Sequence, residues 1–188
     1  VNNERMPDMA RLLAAHALAR PADLAPDSAQ AVLLAAALVR STNPEIRMAI
    51  AKALGKSKTG PSFSILSKVI NSEQDWRVQC NIIQAMSGFS YDTVRSLVVP
   101  FVFHKNPHVA RTAAEFWVSN GQARDGDYYW RIAKDHPELE WPVRVALYRA
   151  SNKWLSGATK PESKDFVNYR IREMFQQSQN PYERAALL

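Results

Sequence analysis

Residues 43–55 read Asn43-Pro44-Glu45-Ile46-Arg47-Met48-Ala49-Ile50-Ala51-Lys52-Ala53-Leu54-Gly55. Asn43 has the side chain of a helix N-cap. Pro44 takes the first helical position, where its missing N–H costs nothing. Ile46, Ala49, Ile50, Ala53 and Leu54 then fall on one face at helical spacing, and Gly55 reads as the stop.

The same pattern returns on both sides. Asp75-Trp76-Arg77-Val78 leads into Asn81-Ile82-Ile83-Gln84-Ala85-Met86, and Asn106-Pro107-His108-Val109 leads into Thr112-Ala113-Ala114-Glu115-Phe116-Trp117. Glu140-Trp141-Pro142-Val143-Arg144 leads into Ala146-Leu147-Tyr148-Arg149-Ala150, Asn180-Pro181 opens a last copy, and residues 10–18 form an earlier one. The Arg47 position maps onto 11, 47, 79, 110, 144 and 184, with spacings of 36, 32, 31, 34 and 40 residues. Four of the five match a two-helix repeat, and the polar insert at 156–164, with Gly157 and Pro161, stretches the last.

Second helical segments are predicted at 28–40, 61–71, 91–105, 127–136 and 163–177, and Pro100 should kink the third. No period-two alternation argues for a sheet. The expected fold is all-α: a right-handed α-α superhelix, a solenoid of about five helix pairs behind a leading helix at 8–19, forming one repeat domain over 1–188.

Composition is ordinary for a folded protein, with 46% apolar and 22% charged residues, which argues against disorder. Cys80 is the only cysteine, so an internal disulfide and a cysteine-based zinc cluster are excluded. The most apolar run, 29–39, is too short to span a membrane and reads as a buried helix. The chain opens at Val1 without a secretory apolar segment and ends in the apolar run Ala185-Ala186-Leu187-Leu188, so it reads as part of a longer protein. The net charge of +6 is compatible with nucleic acid, an anionic surface or plain solubility, and the placement of the charges decides between them.

Asn-Pro-x-Ile-Arg-x-Ala-x-Ala-x-Ala-Leu-Gly at 43–55 resembles the second helix of a HEAT repeat. The resemblance implies that this helix lines a concave face and that its Arg bridges neighbouring repeats through an Asp in the preceding turn. Gln79 and Ala110 replace that Arg in two copies, and Asn replaces the Asp in three turns, which puts a continuous Asp–Arg ladder in doubt. A narrower likeness lies in Arg11-Leu12-Leu13-Ala14-Ala15-His16, in residues 75–81 and 108–115, and in Tyr128-Tyr129-Trp130-Arg131 followed by Trp141-Pro142-Val143-Arg144. These are similar to the HEAT segment of bacterial envelope proteins that also carry a cyclophilin-type peptidyl-prolyl isomerase domain. That resemblance implies a cell-envelope or periplasmic location and a non-catalytic module that positions the isomerase or holds its client.

No catalytic constellation stands out, and no metal or cofactor is expected. Phe103-His104-Lys105 is like the Phe-His-Arg of cyclophilins, but it ends a helix, whereas that site needs a barrel. His16, His104, His108 and His136 are scattered, and Asn106-Pro107 separates the closest two. Asp125-Gly126-Asp127 lacks the further ligands of a calcium loop and reads as a turn. Cys80 reads as a small residue at the edge of the core.

Trp76 and Trp141 take the slot that Pro holds in three other copies, and they are candidate aromatic anchors for a protein partner. The slot of Lys52 recurs as His16, Gln84, Glu115 and Arg149; that of Met48 recurs as Leu12, Cys80, Arg111, Val145 and Ala185. A nucleic-acid groove should show a stripe of one sign. This mixture points to a protein or peptide partner on Trp76, Trp141, Lys52, Gln84, Arg111, Glu115 and Arg149. The competing reading is a HEAT-like DNA-binding protein or DNA glycosylase, to which the charge and the five tryptophans are open.

Overall fold

The computed structural model describes residues 3, 5–19, 25–156 and 161–187. Among the described residues there are eleven α-helices, three short 3-10 turns and no strand. The chain divides into two compact units, residues 1–99 and 100–188. The all-α expectation holds, with a leading helix and five further helix pairs in chain order.

The first unit holds α1 (Asp8–Leu18), α2 (Ser28–Arg40), α3 (Pro44–Ser57), α4 (Gly60–Val69), α5 (Trp76–Ala85) and α6 (Tyr91–Val98). α3 packs on α1 and on α5 in one layer, and α2 packs on α4 in the other; α3 also packs on both α2 and α4. The second unit holds α7 (Pro107–Asn120), α8 (Gly126–Asp135), α9 (Trp141–Ser156), α10 (Pro161–Gln177) and α11 (Pro181–Ala186). There α9 is the central helix and packs on α7, α8, α10 and α11.

α2, α3, α4, α5, α7 and α11 begin where a short polar side chain takes orphan amides of the first turn. Asn43 Oδ1 accepts from the Glu45 amide at 2.9 Å, Asp75 Oδ1 from Arg77 at 2.9 Å, Asn106 Oδ1 from His108 at 2.9 Å and Asn180 Oδ1 from Tyr182 at 2.9 Å. α2 opens with a reciprocal box, in which Asp27 accepts from the Gln30 amide and the Gln30 side chain accepts from the Asp27 amide.

Counting each N-cap as zero, the third, seventh and eleventh residues form the core columns. Ile46, Val78, Val109 and Val143 fill the third; Ile50, Ile82, Ala113 and Leu147 fill the seventh; Leu54, Met86 and Trp117 fill the eleventh. All are buried. In the α9 copy the eleventh residue is Ser151, also buried.

Four expectations need correction. Gly55 does not stop α3, which runs on to Ser57 and ends at Lys58 in the left-handed region (φ 52°). The glycine is there for close approach: a Cβ on it would lie 2.7 Å from Ala85 Cβ and 2.8 Å from Ala85 Cα, backbone of the crossing helix α5. Pro100 does not kink a long helix. α6 ends at Val98 and the chain passes into a 3-10 turn at Val99–Phe103, because the proline ring and its missing N–H end the α-helical ladder.

The third correction concerns the run 29–39, which is not a fully buried helix. α2 buries Ala31, Leu34, Ala37 and Leu38 but leaves Val32, Leu33 and Val39 56%, 59% and 66% exposed. The fourth concerns the segment after α9. α10 begins at Pro161, inside the stretch read as a polar insert, because proline suits a first turn; residues 157–160 lie outside the described residues.

Candidate protein-binding surface

In the α3, α5 and α9 copies the fourth residue of the repeat's second helix, Arg47, Gln79 or Arg144, bonds to a turn outside its own helix. Arg47 extends from α3 to Glu73 in the turn before α5, donating through Nε at 2.8 Å and NH2 at 2.9 Å. Its NH1 also donates to the Ser41 and Thr42 carbonyls at 3.1 and 3.0 Å. Glu73 Oε1 in addition accepts the amides of Gln74 and Asp75, both at 2.9 Å. In the next copy, Gln79 donates its side-chain amide to the Glu73 carbonyl at 2.9 Å.

A second joint forms in unit two. Arg144 NH1 donates to the Pro137 carbonyl at 2.9 Å and its NH2 to Glu183 at 3.0 Å, and Ser178 Oγ donates to the same carboxylate at 2.8 Å. Burial pushes the Tyr148 phenol up, so it stays a neutral donor, 3.4 Å from the Ala133 carbonyl oxygen. The resemblance implied an Asp as the Arg partner; glutamates take that role at both joints.

The ninth-residue column is the exposed one. Lys52 on α3 and Gln84 on α5 are exposed, as are Arg149 on α9 and His16 on α1, and Glu115 on α7 is half-buried. In unit two this column closes on itself. Arg149 NH1 donates to Glu115 Oε1 at 3.2 Å, and Arg111 Nε lies 4.0 Å from the same oxygen. One turn beyond Arg149, Lys153 Nζ donates to the Val118 carbonyl at 2.7 Å and sits 4.8 Å over the Trp154 ring. Exposed pairs of this kind contribute little stability, on the order of 0–1 kcal/mol, so their charges remain open to a partner. The fifth column is more buried: Cys80 is 8% exposed, Met48 and Val145 are half-buried, and only Arg111 and Ala185 are open.

Trp76 and Trp141 begin α5 and α9, and are 40% and 37% exposed. Beside Trp76, Arg77 bonds to Asp75 through its backbone N–H, Nε and NH2, and the side-chain bonds hold the Asp75 carboxyl below its usual pKa despite partial burial. The turn entering α3 joins this rim in a shallow depression of about 480 Å³ lined by Asp8, Thr42, Asn43, Pro44, Glu45 and Arg77. Trp141 stacks on Tyr182 of α11, centroids 5.3 Å apart and planes 20° from parallel, with Tyr182 67% exposed. Sequence reasoning passed over Tyr182. Its signal was its place, one residue after the Pro181 that fills the slot of Trp141.

The remaining candidates have structural surroundings. His104 Nδ1 accepts the Asn106 amide at 3.0 Å, and His136 pairs with Glu138 at 2.8 Å while packing edge-on against Phe103. Phe103 closes a 3-10 turn rather than an α-helix, a correction to the tripeptide's predicted setting. Asp125 lies in a 3-10 turn entering α8, and Asp127 is bonded by Arg131 at 2.7 Å and by Arg170. Burial pushes the Asp127 carboxyl up, but the bonds from Arg170 and Arg131 outweigh it and hold the pKa low. Among the described residues, no three His, Cys, Asp or Glu side chains converge as metal ligands, and no helix is long and apolar enough to cross a membrane.

Residues 4–79 match the family model for HEAT repeats. No curated protein and no solved structure matches the chain. The narrower likeness to the HEAT segment of envelope isomerases therefore stands on the quoted stretches of sequence alone.

Proposed function

We propose, with the HEAT-repeat match of residues 4–79 as the premise, that this chain is a protein-interaction module whose binding surface is the exposed side of its repeat-second helices. The observation that carries the reading is the Arg111–Glu115–Arg149 cluster, in which a carboxylate sits between two guanidinium groups on the open side of α7 and α9. Mixed signs at this spacing complement a polar peptide surface. A phosphate backbone would instead favour cations without the glutamate. On α9 itself, two turns before Arg149, the Trp141–Tyr182 stack offers apolar area with few rotatable bonds, the composition of an interface anchor.

The test is a partner identified by cross-linking in cells and then measured as a purified pair. Trp141→Ala should weaken that pair roughly 30-fold or more, the loss expected at an anchor worth about 2 kcal/mol, with the helical circular dichroism unchanged. An unaffected affinity would remove the aromatic stack from the site. Tight duplex-DNA binding that survived physiological salt would overturn the protein-partner reading.

We extend the proposal to a role as the non-catalytic part of a peptidyl-prolyl isomerase, supported by the similarity of residues 11–16, 75–81 and 108–115 to such segments. The chain by itself is then expected to leave proline isomerisation at the uncatalysed rate in a peptide assay. Catalysis abolished by His104→Ala would show that Phe103-His104-Lys105 is a site after all.

A further inference from the structure

The Arg47–Glu73 and Arg144–Glu183 joints are built alike and finished differently. In the first, Nε and NH2 of Arg47 donate from one edge of the guanidinium to the two carboxylate oxygens of Glu73. Both oxygens and that whole edge are in use. In the second, Arg144 NH2 and Ser178 Oγ both donate to a single oxygen of Glu183, Oε2. The other oxygen, Oε1, and Arg144 Nε are buried, and among the described residues neither has a hydrogen-bond partner. The Glu183 side chain is 3% exposed and that of Arg144 19%. A donor and an acceptor that have given up water and gained nothing are costly, and their presence on one ion pair calls for a reason.

Both residues line the same cavity, which measures about 360 Å³. Ala133, Tyr148, Met174 and Ser178 give it a buried floor, while Lys134 and Gln177 on its rim are exposed. It is thus closed below and reachable from outside. Tyr148 adds a third underused group. Its hydroxyl reaches only the Ala133 carbonyl at 3.4 Å and Met174 Sδ at 3.9 Å. Burial, and then the Glu183 charge, raise the phenol's pKa, so it keeps its proton and can donate. An apolar wall with a few convergent polar groups is the usual form of a small-molecule site.

The open atoms narrow the ligand. It must offer an acceptor to Arg144 Nε and a donor to Glu183 Oε1. A carboxylate would accept from Arg144 but face the Glu183 charge. An ammonium group would donate to Glu183 but face Arg144 and Lys134. A primary carboxamide carries a carbonyl oxygen and an NH2 side by side and has no charge.

We propose that the cleft between α8, α9, α10 and the turn into α11 binds a primary carboxamide, whose oxygen accepts from Arg144 Nε and whose NH2 donates to Glu183 Oε1. The Tyr148 hydroxyl is placed on the same wall as a further donor to the ligand oxygen. A free small amide and the Asn or Gln side chain of another protein offer the same chemistry. The site is separate from the Arg111–Glu115–Arg149 cluster and does not rest on it.

The arginine Nε–H resonances of the ¹⁵N-labelled chain read the site directly, with that of Arg144 assigned by its loss in Arg144→Lys. Propionamide should shift it saturably, with a Kd on the order of 1 mM for so small a ligand. Propionate and propylammonium, of similar size, should bind roughly tenfold more weakly or worse, since each meets a like charge. Glu183→Gln, with its oxygen kept toward Arg144 NH2, sets an NH2 where Oε1 stood. It should weaken propionamide roughly tenfold or more, because donor then faces donor. Tyr148→Phe keeps the ring, so the fold should survive even if Glu183→Gln unfolds, and it should weaken binding severalfold. A capped glutamine tells the sources apart. Binding as tight as that of propionamide assigns the site to a partner's side chain, and exclusion assigns it to a free amide. An Arg144 resonance unmoved by propionamide would mean that water alone meets the open atoms, and would overturn the proposal. So would equal binding of all three small ligands, or binding indifferent to both variants.

Discussion

Replacing Glu73 with alanine is expected to cost about 3 kcal/mol of stability, the lower end of the range for breaking a buried ion pair by removing one partner. The carboxylate is 6% exposed and the Arg47 side chain it holds 17%. The change takes away both guanidinium bonds and strips the Gln74 and Asp75 amides of their acceptor, in the turn that sets α5 against α3. Arg47 keeps the Ser41 and Thr42 carbonyls, which moderates the loss. Urea denaturation checks the value. Glu73→Gln, which retains a carbonyl oxygen for the two amides, should lie well above the alanine variant in stability. A cost below about 1 kcal/mol would mean that the pair behaves like an exposed one.

Leu54→Ala is expected to cost roughly 2–5 kcal/mol, because Leu54 is fully buried in the eleventh-residue column of α3 and neighbouring helices cannot collapse into the space. Asn43→Ala, at the start of the same helix, should cost only about 1 kcal/mol, since it removes a cap whose amide can turn to water. Asn43 Nδ2 also donates to Asp8 at 3.0 Å, an exposed bond that adds little. The reverse order in chemical denaturation would mean that the repeat register is misplaced by at least one residue.

Much of the helical layout was legible in the chain because its signals are local. Asn43, Asp75, Asn106 and Asn180 each satisfy amides two or three residues away, so a helix start needs no distant partner. The apolar columns are periodic within a single helix, and Ile46, Val78, Val109 and Val143 emerge buried as their spacing requires. Five of the seven predicted surface residues, Trp76, Trp141, Lys52, Gln84 and Arg149, are exposed for the same reason: they lie away from those columns on the helix. Arg111 is exposed too, but the buried Cys80 in the equivalent slot shows that the fifth column is no uniform surface.

What escaped the sequence involves two segments at once. Gly55 looks like a helix stop, because a glycine near the end of an apolar pattern usually is one; the approach of Ala85 from another helix gives it a different reason to be glycine. Glu73 and Glu183 look like ordinary surface acids, and only the reach of Arg47 and Arg144 across repeats makes them buried partners. Tyr182 meets Trp141 over a separation of 41 residues. The sequence by itself thus determined where helices start, which faces turn inward and which repeats recur, since each depends on interactions within a turn or two of chain. Tertiary structure alone decided how closely α3 and α5 approach, which acids hold the arginines and which apolar face of α2 stays open, because burial and ion pairing depend on what another part of the chain places opposite.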